Sequence, residues 1–340
     1  MAGEGKGPKI VAADSPNSVW VRYWGTRGSI PTPGSATQRY GGNSSCVELR
    51  FGNRLFVCDA GTGLREFGVE LDRIGEMPAC THLFFSHSHW DHIQGFPFFT
   101  QAYNPKARIM VYGDHAGPGC MYDLLGGQMQ ERYFPVSFRD LGAAIAKGHL
   151  PEPEGSLEPP ARAAVAEMGL GRVESAPLRR EGLDIDGVNV RLFRSRHPGG
   201  CLAYRFSWQG TSVVYSTDNE LDVCLTDPQG SIRDPSRFRR APADFVDFVA
   251  GADLLIADAQ YTDQEYPRRV GWGHSRANTI VDLAIQAEVR RVSLYHHDPL
   301  QDDAAVDRKV EEGRARALRF GAGDALEVSG ARERVELKLR

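Results

Sequence analysis

The stretch Thr81-His-Leu-Phe-Phe-Ser-His87-Ser-His89-Trp-Asp91-His92 decides how the rest of the chain is read. Its first half, Thr81 to Ser86, is apolar and reads as a short buried strand. Its second half places four potential metal ligands within six residues, directly after that strand. Imidazole and carboxylate are the nitrogen and oxygen donors that hold zinc, iron or manganese. In an extended segment residues two apart project to one side, so His87, His89 and Asp91 can point together, whereas a helix would splay them. The spacing therefore predicts a strand-end loop. It separates this cluster from the helical His-Glu-x-x-His zinc site, whose ligands are four apart.

Outward from the cluster, strands and helices follow one another to both ends. Val19 to Trp24, Cys46 to Phe51 and Leu55 to Cys58 are rich in β-branched and aromatic residues and separated by Gly-containing turns, so they read as strands. Asp59-Ala-Gly-Thr-Gly63 turns into a helix expected to run through Ile74. Further strands are expected at Arg108 to Tyr112, Val188 to Phe193, Leu202 to Trp208, Thr211 to Ser216, Asp253 to Ala257 and Arg291 to Tyr295. Helices are expected near Pro118 to Gln130 and at Asp244 to Ala250, Arg276 to Glu288 and Asp302 to Arg319. That mixture predicts an α/β fold layered around a mixed sheet or sheets. Residues 1–17 read as a flexible leader and 18–340 as one catalytic domain. Within it, 147–172 is a proline- and glutamate-rich insertion loop carrying Pro151-Glu-Pro-Glu-Gly155 and Glu158-Pro-Pro160.

His-x-His-x-Asp-His after a strand is the signature of the metallo-β-lactamase superfamily, and the chain resembles that superfamily over nearly its whole length. The later motifs appear in order: His197 in Arg196-His-Pro-Gly-Gly-Cys-Leu, Asp218 in Val214-Tyr-Ser-Thr-Asp-Asn219, and His296 in Val292-Ser-Leu-Tyr-His-His-Asp-Pro299. The resemblance implies a four-layer αββα sandwich of two mixed β-sheets flanked by helices. It also implies two divalent metal ions, zinc first, with manganese or iron as alternatives. One site would use His87, His89 and His197, the other Asp91, His92 and His296, with Asp218 shared. His297 could replace His296, a choice that rests on motif position alone. Two cations roughly 3.5 to 4 Å apart can hold a bridging hydroxide as nucleophile at neutral pH. Asp91 would orient it.

Which bond is cut depends on residues beyond the ligands. Gly273-His274-Ser275-Arg276 resembles the Gly-His-Ser stretch that supplies a non-ligand histidine in ribonuclease Z and related phosphodiesterases. A departing alkoxide needs a proton, and His274 is assigned to give it. Tyr23-Trp-Gly-Thr-Arg-Gly-Ser-Ile-Pro31, Tyr40-Gly-Gly-Asn-Ser-Ser-Cys46 and Asp59-Ala-Gly-Thr-Gly63 resemble the same ribonuclease Z-like, cyclic-phosphodiesterase-like branch. Asp59 is the carboxylate expected to steady the histidine loop. Many ribonucleases Z carry a long arm for transfer RNA between the third-motif histidine and the bridging aspartate. Here His197 to Asp218 holds only a predicted hairpin.

A net charge of −4 leaves no broad basic surface for long nucleic acid, so no stable nucleic-acid partner is expected. A small phosphodiester such as a cyclic nucleotide fits better. Arg194, Arg196 and Arg205 flank His197 and could meet phosphate. The alternatives are a carbonyl hydrolase acting on a β-lactam, thioester or lactone, ribonuclease Z-type processing, an iron oxidoreductase, or a binding protein without catalysis. His89 stands where oxygen-reducing relatives have glutamate, which argues against the oxidoreductase. The six scattered cysteines form no C-x-x-C pair and read as small buried hydrophobes in a reducing compartment. With no run of 18 apolar residues and no apolar signal core in residues 1–17, a cytoplasmic location without membrane contact is expected.

Overall fold

The computed structural model describes residues 17–113, 120–159 and 182–340. Residues 1–16 of the expected leader, 160–172 of the expected insertion and the first residues of the helix expected near Pro118 lie outside the described residues.

In chain order the elements are β1 (Val19–Gly25), β2 (Cys46–Phe51), β3 (Arg54–Cys58), α1 (Gly63–Ile74), β4 (Thr81–Phe84), α2 (Trp90–Ile93), β5 (Arg108–Tyr112), α3 (Met121–Gln128) and β6 (Ala144–Lys147). There follow β7 (Leu183–Ile185), β8 (Val188–Ser195), β9 (Cys201–Trp208), β10 (Thr211–Ser216), α4 (Pro228–Arg233), α5 (Ala243–Val249) and β11 (Leu254–Asp258). The chain closes with α6 (Ala277–Gln286), β12 (Arg291–Tyr295), α7 (Asp303–Arg319), β13 (Glu327–Gly330) and β14 (Glu336–Lys338). They build two seven-stranded sheets, ordered β14-β1-β2-β3-β4-β5-β6 and β13-β12-β11-β10-β9-β8-β7. Both are mixed: β3 to β6 run parallel in the first and β10 to β13 in the second, with antiparallel pairing elsewhere.

Side-chain alternation along the strands makes the layers. On β11, Leu254 and Ile256 join Val21, Phe56, Tyr204 and Phe206 between the sheets, while Leu255 and Ala257 pack with Phe245, Ile280 and Val306 of the helices outside. On β3, Phe56 and Cys58 face inward while Leu55 and Val57 meet Leu64, Phe67 and Leu71 of α1. The result is the expected four-layer αββα sandwich. Among the described residues no helix is long and apolar enough to cross a membrane, and all six cysteines are free.

Two expectations change. Asp91 and His92 do not continue an extended loop. His89 is extended but caps α2, and Asp91 and His92 ride on its single turn. Part of the insertion is also ordered along the sheets: Lys147 ends β6, and Glu154 and Leu157 donate backbone hydrogen bonds to Leu192 and Arg194 of β8.

The loop after β10 is tied to the start of α6 by a buried ion pair. Asp222 accepts from the backbone N and Nε of Arg276, both at 2.8 Å, and from Thr279 Oγ1 at 2.6 Å. Both charged side chains are inaccessible to solvent. Removing one partner strands the other charge in a dry interior, at a cost of about 3–5 kcal/mol. Asp222→Ala should therefore lower the unfolding free energy by about that amount in a denaturant titration; an unchanged midpoint would show that the pair contributes nothing.

Candidate metal centre

The site's side chains come from the segments that follow strands, loops except for the single turn of α2, where a rigid sheet holds variable chemistry in place. His87 and His89 follow β4 and Asp91 and His92 sit on α2. His197 comes from the turn between β8 and β9, Asp218 from the loop after β10 and His296 from the loop after β12. They converge on Asp218. Its Oδ2 lies 3.6 Å from Nε2 of both His87 and His197, and its Oδ1 lies 3.1 Å from Nε2 of both His92 and His296. His89 Nδ1 is 3.0 Å from His197 Nε2, and Asp91 Oδ2 is 3.1 Å from His92 Nε2 and 3.2 Å from His296 Nε2. Two donor sets thus share one carboxylate, each oxygen facing a different set.

The donor chemistry fits divalent cations. His87 Nε2 and His92 Nε2 are buried without a hydrogen-bond partner; the latter is close to two carboxylates but aligned with neither. An unmet buried polar atom is costly, and a cation would meet it. For His87, His89, His197, Asp91 and Asp218 the protonation states also suit ligation, which needs neutral imidazole and ionised carboxylate; His92 is the exception. Burial is the largest influence holding the pKa of His87, His89 and His197 below the ordinary histidine value. For Asp91 and Asp218 burial pushes upward, but the surrounding histidines, His92 and His296 foremost, hold both well below the usual carboxylate range. His92 is raised: burial opposes its charge, and Asp91, Asp218 and Asp59 together outweigh that.

A layer of polar contacts behind these atoms fixes their directions. Asp59 Oδ2 is 2.8 Å from His92 Nδ1, and Asp59 also accepts from Ser86 N, Ser86 Oγ and Tyr215 Oη. Ser29 N donates to Asp91 Oδ2 at 2.8 Å, and Gln260 Oε1 is 3.0 Å from His296 Nδ1. Asp59, Asp218 and His296 all have positive φ, at 61°, 43° and 58°. Such backbone costs about 1–3 kcal/mol per residue and persists where the surroundings impose it. His297, the other candidate for the last position, turns away: its Nε2 is 2.9 Å from the Ala331 carbonyl.

His274 lines the same cavity as the cluster. Its ring stacks on His296 at 5.0 Å, and its Nδ1 is 2.7 Å from Asp258 Oδ2 and 4.0 Å from Asp218 Oδ2. Burial works against its charge, but Asp258, with Asp218 and Asp91 beyond, pushes its pKa up to about 9. The loop that carries it is anchored by buried Glu220, which accepts from Gly271 N at 2.6 Å, Gly273 N at 2.9 Å and Tyr266 Oη at 2.9 Å. The Gly273 carbonyl in turn meets His197 Nδ1 at 2.8 Å.

The arginines expected at phosphate are elsewhere. Arg205 is spent on the Phe248 and Ala250 carbonyls that end α5 and on Ser212. Arg194 and Arg196 line a second cavity that shares only His197 and Pro198 with the first. The reason is strand alternation and length: flanking His197 in sequence does not bring a side chain to the cluster. Asp258, Glu220, Gln260, Trp90, Arg269 and Trp272 went unnoticed in the sequence. Asp258 had a usable signal, since it directly follows a strand predicted to end at Ala257, the kind of position from which the cluster's residues also come.

Two sheets between helices, with a histidine–aspartate cluster at their strand ends, define a metal-dependent hydrolase of the metallo-β-lactamase fold. Residues 54–297, well over half of the chain, match the family described as the β-lactamase superfamily domain, and the chain belongs to that family. Ribonuclease Z of Natronomonas pharaonis is 26% identical over 315 residues, covering 87% of this chain and 92% of that one. The metallo-β-lactamase fold protein YhfI from Bacillus subtilis covers 95% of this chain and 99% of its own at a TM-score of 0.57 and 16% identity. The short form of human tRNase Z covers 94% and 99% at a TM-score of 0.55 and 17% identity. These two structural likenesses speak to the fold alone.

Gly28 packs flat against the cluster: a Cβ there would fall 2.5 Å from two atoms of the His296 ring. Gly28→Ala is expected to displace that ring and cut the metal content from about two ions per chain toward one, with the circular dichroism spectrum unchanged. Gly34→Ala, whose Cβ would meet nothing within 4 Å, serves as the control. Equal metal content in the two variants would refute the placement of His296 at the centre.

Proposed function

We propose that the protein is a cytoplasmic phosphodiesterase for a small phosphodiester such as a cyclic nucleotide. It would hold two divalent ions, zinc by preference, on His87, His89 and His197 and on Asp91, His92 and His296, with Asp218 shared. The observation that carries the reading is His274: a histidine in the cavity beside Asp218 whose Nδ1 is engaged by the buried Asp258 carboxylate, although it also lies within donor range of Asp218 and His296. Carbonyl hydrolysis needs no such dedicated acid, whereas the alkoxide leaving a phosphodiester does.

Two divalent cations held there would supply hydroxide at neutral pH, stabilise charge on the phosphoryl oxygens and draw the His274 pKa back toward neutrality. The residues do the rest. Asp91, steadied by Ser29 N, orients the attacking hydroxide. Asp258 engages His274 Nδ1, which leaves Nε2 to deliver a proton to the leaving oxygen. Asp59 keeps His92 from rotating.

A second reading, ribonuclease Z-type RNA processing, is favoured by the name of the Natronomonas pharaonis relative. Against it stand the short β9–β10 hairpin between His197 and Asp218, which leaves no room for an arm there, and the net charge of −4. A polyanion needs paired cations along its length.

Metal-loaded protein should hydrolyse bis-(p-nitrophenyl) phosphate; cleavage of nitrocefin or a thioester without any diester cleavage would sink the proposal. His274→Ala should slow diester cleavage by about 10²- to 10⁴-fold with metal content unchanged. Metal loss in that variant would make His274 a ligand instead. In a panel of 3′,5′- and 2′,3′-cyclic nucleotides, dinucleotides and transfer RNA precursor, turnover is expected on the small diesters. Turnover confined to the precursor would move the assignment to RNA processing.

A further inference from the structure

The cavity over the cluster, about 610 Å³, has two kinds of wall. The floor is polar, made by the histidines and aspartates already described. The mouth carries Trp90, Trp272 and Leu300, which are 66%, 60% and 83% exposed. Two exposed indoles on one ligand-sized cavity are unusual, because soluble proteins generally bury such rings or keep exposed apolar groups scattered. Trp90 stands between His89 and Asp91 in sequence, at the start of α2, so its backbone is tied to the cluster.

Trp272 is fixed with more care. It sits at the tip of a turn between Gly271 and Gly273, at φ 89° and 91°, a left-handed backbone that favours glycine. The amides of both glycines are held by the same buried Glu220 carboxylate, and Trp272 N donates to the Arg269 carbonyl at 3.1 Å. The Arg269 guanidinium lies 5.6 Å from the Trp272 ring and 4.9 Å from the Tyr261 ring, and Asp298 holds it at 2.5 Å. The Arg269 guanidinium therefore packs on both the Trp272 and Tyr261 rings, and the indole remains largely open to solvent. A rigid flat platform of this kind suits a planar ring rather than a flexible chain. Among the described residues lining the cavity, the single guanidinium is already committed to Asp298, so little is left there to hold a second phosphate.

We infer that Trp272, with Trp90 on the same cavity, is a stacking platform that selects phosphodiesters bearing a nucleobase or a similar planar aromatic substituent. The assignment rests on the phosphodiesterase reading for its substrate class, while the platform itself rests on the geometry of the mouth. Stacking on one aromatic side chain changes affinity by roughly 10- to 100-fold.

The test compares adenosine 5′-monophosphate with ribose 5-phosphate, which differ only by the base, binding to the full-length metal-loaded protein by calorimetry. The native protein should bind the nucleotide at least about 10-fold more tightly. Trp272→Ala should remove most of that difference and Trp272→Phe restore it, with the affinity for ribose 5-phosphate the same in all three. On a 2′,3′-cyclic nucleotide Trp272→Ala should raise KM with kcat little changed. Equal binding of the two probes by the native protein, or discrimination that survives in both Trp272→Ala and Trp90→Ala, would overturn the platform. Diester hydrolysis without base discrimination would leave the phosphodiesterase reading intact and remove the platform. Base discrimination without hydrolysis of any diester would do the reverse.

Discussion

The carboxylate of Asp218 is the contact on which the rest of the molecule turns. It is buried, in a left-handed backbone, with one oxygen facing His87 and His197 and the other facing His92 and His296. A carboxylate in that setting is stable only if positive or donor groups reach it from two sides, since burial alone strongly disfavours its charge. Those groups come from both sheets. His87 and His92 belong to the end of β4 in the first, while His197 and His296 belong to strand ends of the second. The inter-sheet core around Phe56, Phe84, Tyr204 and Phe206 therefore does more than stabilise the fold. It sets the separation of the two ligand groups.

Four more buried acids hold the loops that hold the cluster. Asp59 fixes His92, Asp258 fixes His274, Glu220 fixes the glycine turn that reaches His197, and Asp222 fixes Arg276 at the start of α6. Each sits in a strand-end loop or closes a strand, and each is satisfied by several donors. Acids buried this thoroughly would destabilise the fold if any lost its partners. The arrangement gathers these buried acids and the left-handed residues Asp59, Asp218 and His296 at one end of the sandwich.

How much of this could be read in advance follows from what a sequence records. The His87-to-His92 cluster was legible because a dense run of metal-binding residue types is rare, His197, Asp218 and His296 only through the order of motifs in the resemblance, and the long central strands because their apolar periodicity is strong. The four strands not foreseen, β6, β7, β13 and β14, are the four sheet edges. They have three or four residues and are partly exposed, so they carry little apolar pattern. The helical turn under Asp91 and His92 is too short to show a period. Glu220 and Asp258 look like any other acids until the fold supplies their donors, and Gly28 looks like any turn glycine until the His296 ring lies against it. Trp272 gave no sign at all, because what distinguishes it is a cavity assembled from distant loops.

The turn Gly271-Trp272-Gly273-His274 joins functions that are usually spread over separate loops. Its Trp272 stands at the mouth, its Gly273 carbonyl orients His197, and its last residue is the histidine beside Asp258. The two amide contacts to Glu220 restrain the left-handed turn, together with the Trp272 N–Arg269 carbonyl hydrogen bond, the Gly273 carbonyl contact to His197 and the Asp258 contact to His274. A Cβ on Gly273 would fall 2.4 Å from His197 Nδ1, so the turn cannot relax by substitution without moving a cluster histidine. On the proposed reading, a substrate stacked on Trp272 would bear on the same short segment that carries His274. The spacing between Trp272 and His274 is fixed by two residues of chain, not by the packing of separate elements.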